Sequence, residues 1–504
     1  MDGKRNLKNI VFTLIGQIVA LGLALAVPRF MLTGYGSDTN GLVSTVTQIM
    51  AYMAMLEAGI GRATRNELYK YIHDNVYDAK NVSRIVSISQ NTYRRTTRLY
   101  AFIVIILAAV LPFVLKTDAD HLTVLLIILI EGASGIVSFY FVQCWTDLLA
   151  AEGKQYISSN IDLMYRVLIY AVKIIMAAAG INIIFMELGF FAATIVKLIF
   201  FRIYVRKNYA WLNITKGTKR AQLPDKNSFM VAEIAWTVFS STDMIVLSVF
   251  CSTKISSVYS IYYMVFITIN KLIDAVFTSL KFNLGQKYHA DSEEYKKMHD
   301  MFNSVFLGTV TSLTAVAYYL CIPFVRLYTA GISDADYIDT ALPMGFSLVL
   351  LLSWCRMVAE HLNGIAGFAR QLGRISVIEA AVNLTLSVVL VNFLGIHGVL
   401  YATVIALPLK IFYCNILADK KILKRSGGIT CRILLTNLLL FFALAVLKGF
   451  ISLNVDSYGQ FLVKGFGLTL CSLMLFFTAN LFANKDFVVQ IRQFASFRNR
   501  QNKQ

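Results

Sequence analysis

Apolar residues in this chain run in long blocks of about twenty positions, separated by short polar pieces. A block of that length is enough for one helix to cross the hydrocarbon of a bilayer. Fourteen such helices are predicted, over 10–32, 41–60, 99–115, 122–142, 158–179, 181–201, 229–250, 258–280, 301–325, 342–367, 376–394, 398–417, 433–451 and 461–482. The second is the most polar, with Ser44, Thr45, Thr47, Gln48 and Glu57 along it. A span of that kind must face protein or a water-filled cavity. The stretch 66–95 is expected to lie as an amphipathic helix on the inner surface. The fold predicted is all-α, a polytopic membrane protein.

Composition agrees. Of 504 residues, 57% are hydrophobic and 15% charged, whereas a soluble protein carries nearer ~25% charged residues. The net charge of +18 would suit a nucleic-acid binder, but the basic residues sit between the apolar blocks. With both termini cytoplasmic, 35 of the 47 Lys and Arg fall on inside segments and only three, Lys116, Lys254 and Arg326, on outside connections. That positive-inside pattern sets the topology and requires an even number of spans. The first block is longer than the apolar region of a signal peptide, so it is expected to be a retained span. The seven cysteines form no CxxC and cluster with no histidine, so neither a disulfide framework nor a metal site is expected.

Three internal echoes recur near one offset. Ser37 and Ser252 are 215 positions apart, as are the pairs Gly180-Ile181 and Gly395-Ile396. Tyr71, Asp74 and Lys80 match Tyr288, Asp291 and Lys297 at an offset of 217. These predict two parallel six-helix lobes, 1–210 and 226–426, followed over 427–504 by two C-terminal helices and a basic cytoplasmic tail.

An ionisable group at mid-membrane costs at least ~2.5 kcal/mol, so each one inside a span is a functional candidate. Asp162, Arg166 and Lys173 share one face of the fifth helix at spacings of four and seven. The eighth carries Lys271 and Asp274, and the tenth Arg356, Glu360 and His361. Glu131 lies in the fourth, Glu233 and Asp243 in the seventh, and Glu379 with Asn383 in the eleventh. On one reading, Arg166, Lys173, Lys271 and Arg356 line a watery cavity between two halves and attract a phosphate-bearing substrate. On the other, Asp162–Arg166, Lys271–Asp274 and Arg356–Glu360 are pairs within single helices that only neutralise each other. Arg29, Lys197, Lys410, Lys448 and Lys464 lie near span ends, where long basic side chains reach for the interface. Glu131, Asp162, Asp243 and Asp274 are the acids placed to exchange a proton or sodium ion. Burial favours the protonated acid and a nearby base the carboxylate. Glu131 has no base within a turn of its own helix and is therefore the favoured proton carrier.

The opening stretch Arg29-Phe30-Met31-Leu32, then Tyr35-Gly36-Ser37-Asp38-Thr39-Asn40-Gly41-Leu42-Val43-Ser44, resembles the first hairpin of bacterial polysaccharide flippases. Thr47-Gln48, Leu56-Glu57-Ala58-Gly59-Ile60-Gly61 and Leu68-Tyr69-Lys70 continue the likeness. Ser241-Thr242-Asp243 and Leu394-Gly395-Ile396-His397-Gly398 echo it further on. The resemblance is to Wzx-type O-antigen and capsule flippases of the multidrug/oligosaccharidyl-lipid/polysaccharide exporter superfamily. It implies two six-helix lobes around a cationic cavity in the bacterial cytoplasmic membrane. It also implies outward movement of an undecaprenyl-pyrophosphate-linked oligosaccharide by alternating access, coupled to a proton or sodium gradient. The expected partners are that lipid-linked oligosaccharide, membrane lipids, a glycan polymerase and glycosyltransferases, with no cofactor and no nucleic acid. A lipid-linked pyrophosphate cannot cross hydrocarbon unaided, so such a carrier needs cationic partners for it.

Two other classes stand beside this one. A membrane-embedded glycan polymerase or glycosyltransferase is expected to carry a large outside loop or an acidic catalytic pair. The longest outside loop here, 326–341, holds Asp334, Asp336 and Asp339 without a basic cluster, which argues against an enzyme. A drug or cation exporter of the same superfamily fits the topology, but the bases of the fifth helix argue against a cationic cargo.

Overall fold

The structure, a computed structural model, describes residues 3–73, 76–212, 242–290, 292–451 and 453–484. Helix α1 (Gly3–Leu68) is turned at Gly36, whose φ of 80° and ψ of 175° leave the helical region, a geometry glycine adopts without strain. The turn falls where the first outside connection is predicted, so α1 supplies the first two predicted spans. Two polar residues of its second arm, Asn40 and Thr45, are buried against protein. Asn40 donates to Ser257 at 2.8 Å, and Thr45 shares hydroxyl hydrogen bonds with Ser248 at 2.6 Å and Ser256 at 3.1 Å. Gly41 permits this approach, because a Cβ there would lie 1.7 Å from the Thr253 carbonyl oxygen.

A short antiparallel ribbon, β1 (Ile72–His73) and β2 (Val76–Tyr77), follows, with Ile72 opposite Tyr77. Next comes α2 (Ala79–Val114), 36 residues long and capped by Asp78, whose carboxylate accepts from the Asn81 N–H. The separate surface helix expected over 66–95 is not what forms. Residues 66–68 end α1, and 79–95 are the first half of α2, with Val82, Val86 and Tyr93 fully buried. Apolar residues in that half continue the stripe of the membrane half, so one long helix buries more than two would.

The chain continues through α3 (His121–Phe141), α4 (Gln143–Ala151), α5 (Gln155–Ala178), α6 (Ile183–Asn208) and α7, helical over 242–250. Then come α8 (Thr253–Ala290), α9 (Ser292–Tyr328), α10 (Leu342–Trp354), α11 (Met357–Ile365), α12 (Ala369–Leu394) and α13 (Ile396–Leu417). The last two are α14 (Gly428–Leu447) and α15 (Tyr458–Ala483). Residues 229–241 of the seventh predicted span, Glu233 among them, lie outside the described residues, as do the basic segment 213–228 and most of the C-terminal tail. The tenth predicted span is two helices, α10 and α11, broken at Cys355-Arg356. Gly180 and Gly395, paired in the sequence echo, both adopt positive φ, 66° and 54°.

Among the described residues ten helices are long and apolar enough to cross a membrane. The α5 segment is not among them, because Asp162, Arg166 and Lys173 crowd its apolar run. Outward faces carry large apolar side chains such as Phe113, Phe393, Val463 and Phe482, as lipid contact requires. The protein is a multi-pass membrane protein built from helices.

Two compact units divide the chain, Met1–Ser260 with Ile332–Ala335, and Ile261–Gly331 with Asp336–Gln504. In unit 1 the helix pairs α2–α3, α1–α5 and α5–α6 pack closely, around a core that includes Leu42, Val46, Tyr100, Val124, Ile127 and Met186. In unit 2, α12 packs on α13, and both α14 and α15 pack on α9. Asn437 of α14 and Asn480 of α15 exchange side-chain amide bonds of 2.9 and 3.0 Å. Such amide pairs fix register where surrounding lipid supplies no partner.

Candidate functional site

In unit 1 three charged side chains from three helices meet in the apolar interior. Glu131 on α3 is buried, with Thr47 as a hydroxyl donor and with Lys173 and Glu187 as charged neighbours. Lys173 on α5 lies 3.5 Å from Glu187 on α6, and the Glu187 side chain is fully buried. That distance makes an ion pair rather than a tight hydrogen bond, and neither Glu187 carboxylate oxygen accepts a hydrogen bond among the described residues. Lys173 also stands 5.1 Å from the centre of the Phe190 ring. With all three ionised, the cluster holds two negative charges and one positive, an arrangement that invites a small cation.

Helical periodicity placed Glu131 without a base, because only its own helix was visible in the sequence. Packing brings Lys173 from α5 to it. Glu187, a lone acid within the sixth apolar block, went unremarked there, although it carries the same signal as Glu131.

Further along the same helix pair, Asp162 of α5 pairs with Lys197 of α6 at 2.6 Å. Lys197 stands over the Tyr165 ring at 4.8 Å, and the Tyr165 and Thr194 hydroxyls share a hydrogen bond of 2.9 Å. Lys197 is therefore 14% exposed inside a helix pair rather than reaching for the membrane surface. Arg166 lies on the same helix with an exposed side chain. Asp243 of α7 accepts from the Tyr259 hydroxyl of α8 at 2.5 Å, and beside it Thr242 is hydrogen-bonded to Tyr52 of α1.

In unit 2 the break between α10 and α11 turns Arg356 inward. Its guanidinium bonds Glu379 of α12 and lies 3.6 Å from Glu360 of α11, with both Arg356 and Glu379 almost fully buried. Lys410 of α13 reaches Glu360 at 2.8 Å and is 3% exposed, again inside the bundle and not at its edge. Two bases and two acids balance here. Arg356 pairs with Glu360 within its helix, as one reading of the sequence has it, but its shorter bond crosses to α12. Asn383, next on α12, donates to Thr403 of α13 at 3.0 Å. Lys271 and Asp274 on α8 are both exposed.

Each unit also has an ion network at a helix end that no spacing announced. Asp147 of α4 takes Arg65 at 2.5 Å and the Tyr93 hydroxyl at 2.6 Å. Arg425 joins Asp300 at 2.5 Å to Asp419 at 2.6 Å. Both hold connections to helices and are positioned to lock the bundle ends.

The fold is shared with solved transporters over most of the chain. The lipid II flippase MurJ in an inward closed conformation matches with a TM-score of 0.68 at 13% identity, covering 92% of this chain and 98% of that one. An inward-facing multidrug resistance MATE family transporter of the MOP superfamily matches at 0.65 and 12% identity, over 82% and 99%. The MATE multidrug transporter DinF-BH matches at 0.59 and 15% identity, over 82% and 95%. No protein-family model and no curated protein matches the sequence.

Proposed function

We propose that this protein is a flippase that carries a polyprenyl-pyrophosphate-linked oligosaccharide repeat unit from the cytoplasmic to the outer leaflet of a bacterial cytoplasmic membrane, and that it is not an enzyme. The observation that carries the reading is the fold shared with a lipid II flippase over 92% of the chain. Exposed Arg166 on the fifth helix and Lys271 on the eighth support an anionic cargo over a cationic drug. On this reading 1–210 and 226–426 are two six-helix lobes, 427–504 is an addition, and both termini are cytoplasmic. A glycan polymerase and glycosyltransferases act on either side of the step.

Arg166, Lys173, Lys271 and Arg356 are the bases proposed to bind the phosphate-bearing substrate. Lys173 and Arg356 already hold carboxylates and would have to exchange them for substrate. The proposed cation carrier is the Glu131–Lys173–Glu187 cluster, since its second acid leaves room for a proton or a sodium ion to alternate with the ammonium. Asp162 and Asp243 are secondary candidates, each already partnered, and Asp274 is the exposed one.

Reconstitution into vesicles separates the readings. A polyprenyl-pyrophosphate oligosaccharide added to one leaflet should become accessible to an impermeant glycosidase on the other. The same vesicles should not drive out a cationic dye. Dye efflux without lipid movement would establish the exporter reading in place of the flippase.

A further inference from the structure

Only three basic residues occupy the outside connections predicted from the charge pattern, and two of them are accounted for. The Lys116 ammonium donates to the Phe250 carbonyl at 2.5 Å, and Lys254 pairs with Asp118 at 2.6 Å. Arg326, in the last turn of α9, is exposed and has no ion pair among the described residues. It lines a cavity of about 410 Å³ in unit 2, together with Lys448, Tyr318, Tyr319, Thr340 and Val446.

Lys448, at the end of α14, is fixed in place. Its ammonium donates to the Tyr318 carbonyl at 2.7 Å and stands 3.9 Å from the centre of the Tyr318 ring. A ring face and one carbonyl leave an ammonium with donor capacity to spare. Beside the cavity, Lys464 of α15 donates to the Asn454 carbonyl. No carboxylate lines the cavity among the described residues. From its mouth the face of α14 runs on through exposed Val446, Leu439 and Leu435, an apolar track along the membrane.

We propose that this cavity is a binding site for the phosphate headgroup of an outer-leaflet lipid, with the acyl or prenyl chain lying along α14. Arg326 supplies the planar fork suited to phosphate oxygens and Lys448 a held point charge. Positive charge concentrated on the side where the chain otherwise avoids it needs a compensating anion, and a lipid brings that anion to headgroup depth. A free phosphate would gain nothing from the apolar track.

The test is native mass spectrometry of the full chain in detergent, titrated with phosphatidylglycerol, with diacylglycerol of the same chain length, with polyprenyl pyrophosphate and with inorganic phosphate. Phosphatidylglycerol should be retained and diacylglycerol should not. The double variant Arg326→Gln/Lys448→Gln should bind about tenfold more weakly or worse, as loss of charge-assisted hydrogen bonds predicts. Arg326→Lys and Lys448→Arg should keep most of the binding, which separates loss of charge from misfolding. Displacement of phosphatidylglycerol by polyprenyl pyrophosphate at lower concentration would assign the site to a prenyl lipid, and the reverse order to bulk phospholipid. Equal lipid binding by wild type and the double variant, or competition by inorganic phosphate as strong as by either lipid, would overturn the proposal. The readout is binding, so it stands apart from whether the chain transports a glycan.

Discussion

Lys197 on α6 lies 2.6 Å from Asp162 on α5, and its ammonium also stands 4.8 Å from the centre of the Tyr165 ring. The fifth-helix acid is thus neutralised across a helix pair, by a base that sequence position alone had placed at the membrane edge. The contact ties α5 to α6.

The Asp162 carboxylate is 40% exposed, so solvent screens the pair and its coupling should be modest, about 1 kcal/mol. A double-mutant cycle with Asp162→Asn and Lys197→Met, read by denaturant unfolding in detergent, measures it. Additive single-site effects would show that the two side chains are neighbours without mutual stabilisation.

The acidic cluster predicts a different phenotype. Glu131→Gln and Glu187→Gln should each abolish the dependence of lipid movement on a proton or sodium gradient in vesicles, while substrate binding persists. Each removes one of the two negative charges that Lys173 cannot balance alone. Gradient dependence unchanged in both variants would leave the cluster as a structural pair, with coupling elsewhere.

Much of the fold was legible because bilayer thickness imposes a length that shows in hydropathy alone. The Gly36 turn lies in the first connection that the residue pattern predicts, and Gly180 and Gly395 lie between predicted spans. Arg356–Glu360 forms as spacing suggested, but partners across helices were not legible. Helical spacing relates residues on one helix, and so it suggested Asp162–Arg166 and left Glu131 without a base. The pairs that form are Lys197–Asp162, Lys173–Glu187 and Lys410–Glu360, each crossing between helices. The break at Cys355-Arg356 was hidden for a related reason, since the apolar block runs straight through it.

Acidity should loosen unit 1 at one connection. Asp334 accepts from both the backbone N–H and the hydroxyl of Ser37, each at 2.6 Å. Partial burial pushes its carboxyl up, but the two Ser37 hydrogen bonds and nearby Lys254 outweigh that and hold it below its ordinary value. A depressed folded-state pKa contributes stability above the unfolded value of about 3.9, and that contribution is lost as pH falls through the folded value. The difference in thermal stability between wild type and Asp334→Asn should therefore be present at neutral pH and shrink only below about pH 4. A gap that stays constant down to the acid limit would detach this carboxylate from the effect.

The buried pair in unit 2 makes the sharpest stability prediction. Arg356 and Glu379 are 1% and 2% exposed, so removing one leaves the other desolvated. Glu379→Leu alone should cost ~3–5 kcal/mol, the range for a buried ion stripped of its partner. Glu360, 3.6 Å from the guanidinium, is shared with Lys410 at 2.8 Å, so it can offset only part of that loss. Arg356→Met together with Glu379→Leu should recover most of the stability, because an apolar pair of similar volume carries no desolvation cost. Unfolding in detergent measures both. If the double variant proves as unstable as Glu379→Leu, the instability comes from lost packing around the α10–α11 break rather than from an unpaired charge. The single variant should also enlarge any anion affinity of unit 2, since it removes the shorter of two carboxylate contacts to the guanidinium. Pyrophosphate protection against unfolding in Glu379→Leu and not in wild type would show that Arg356 can exchange a carboxylate for a phosphate.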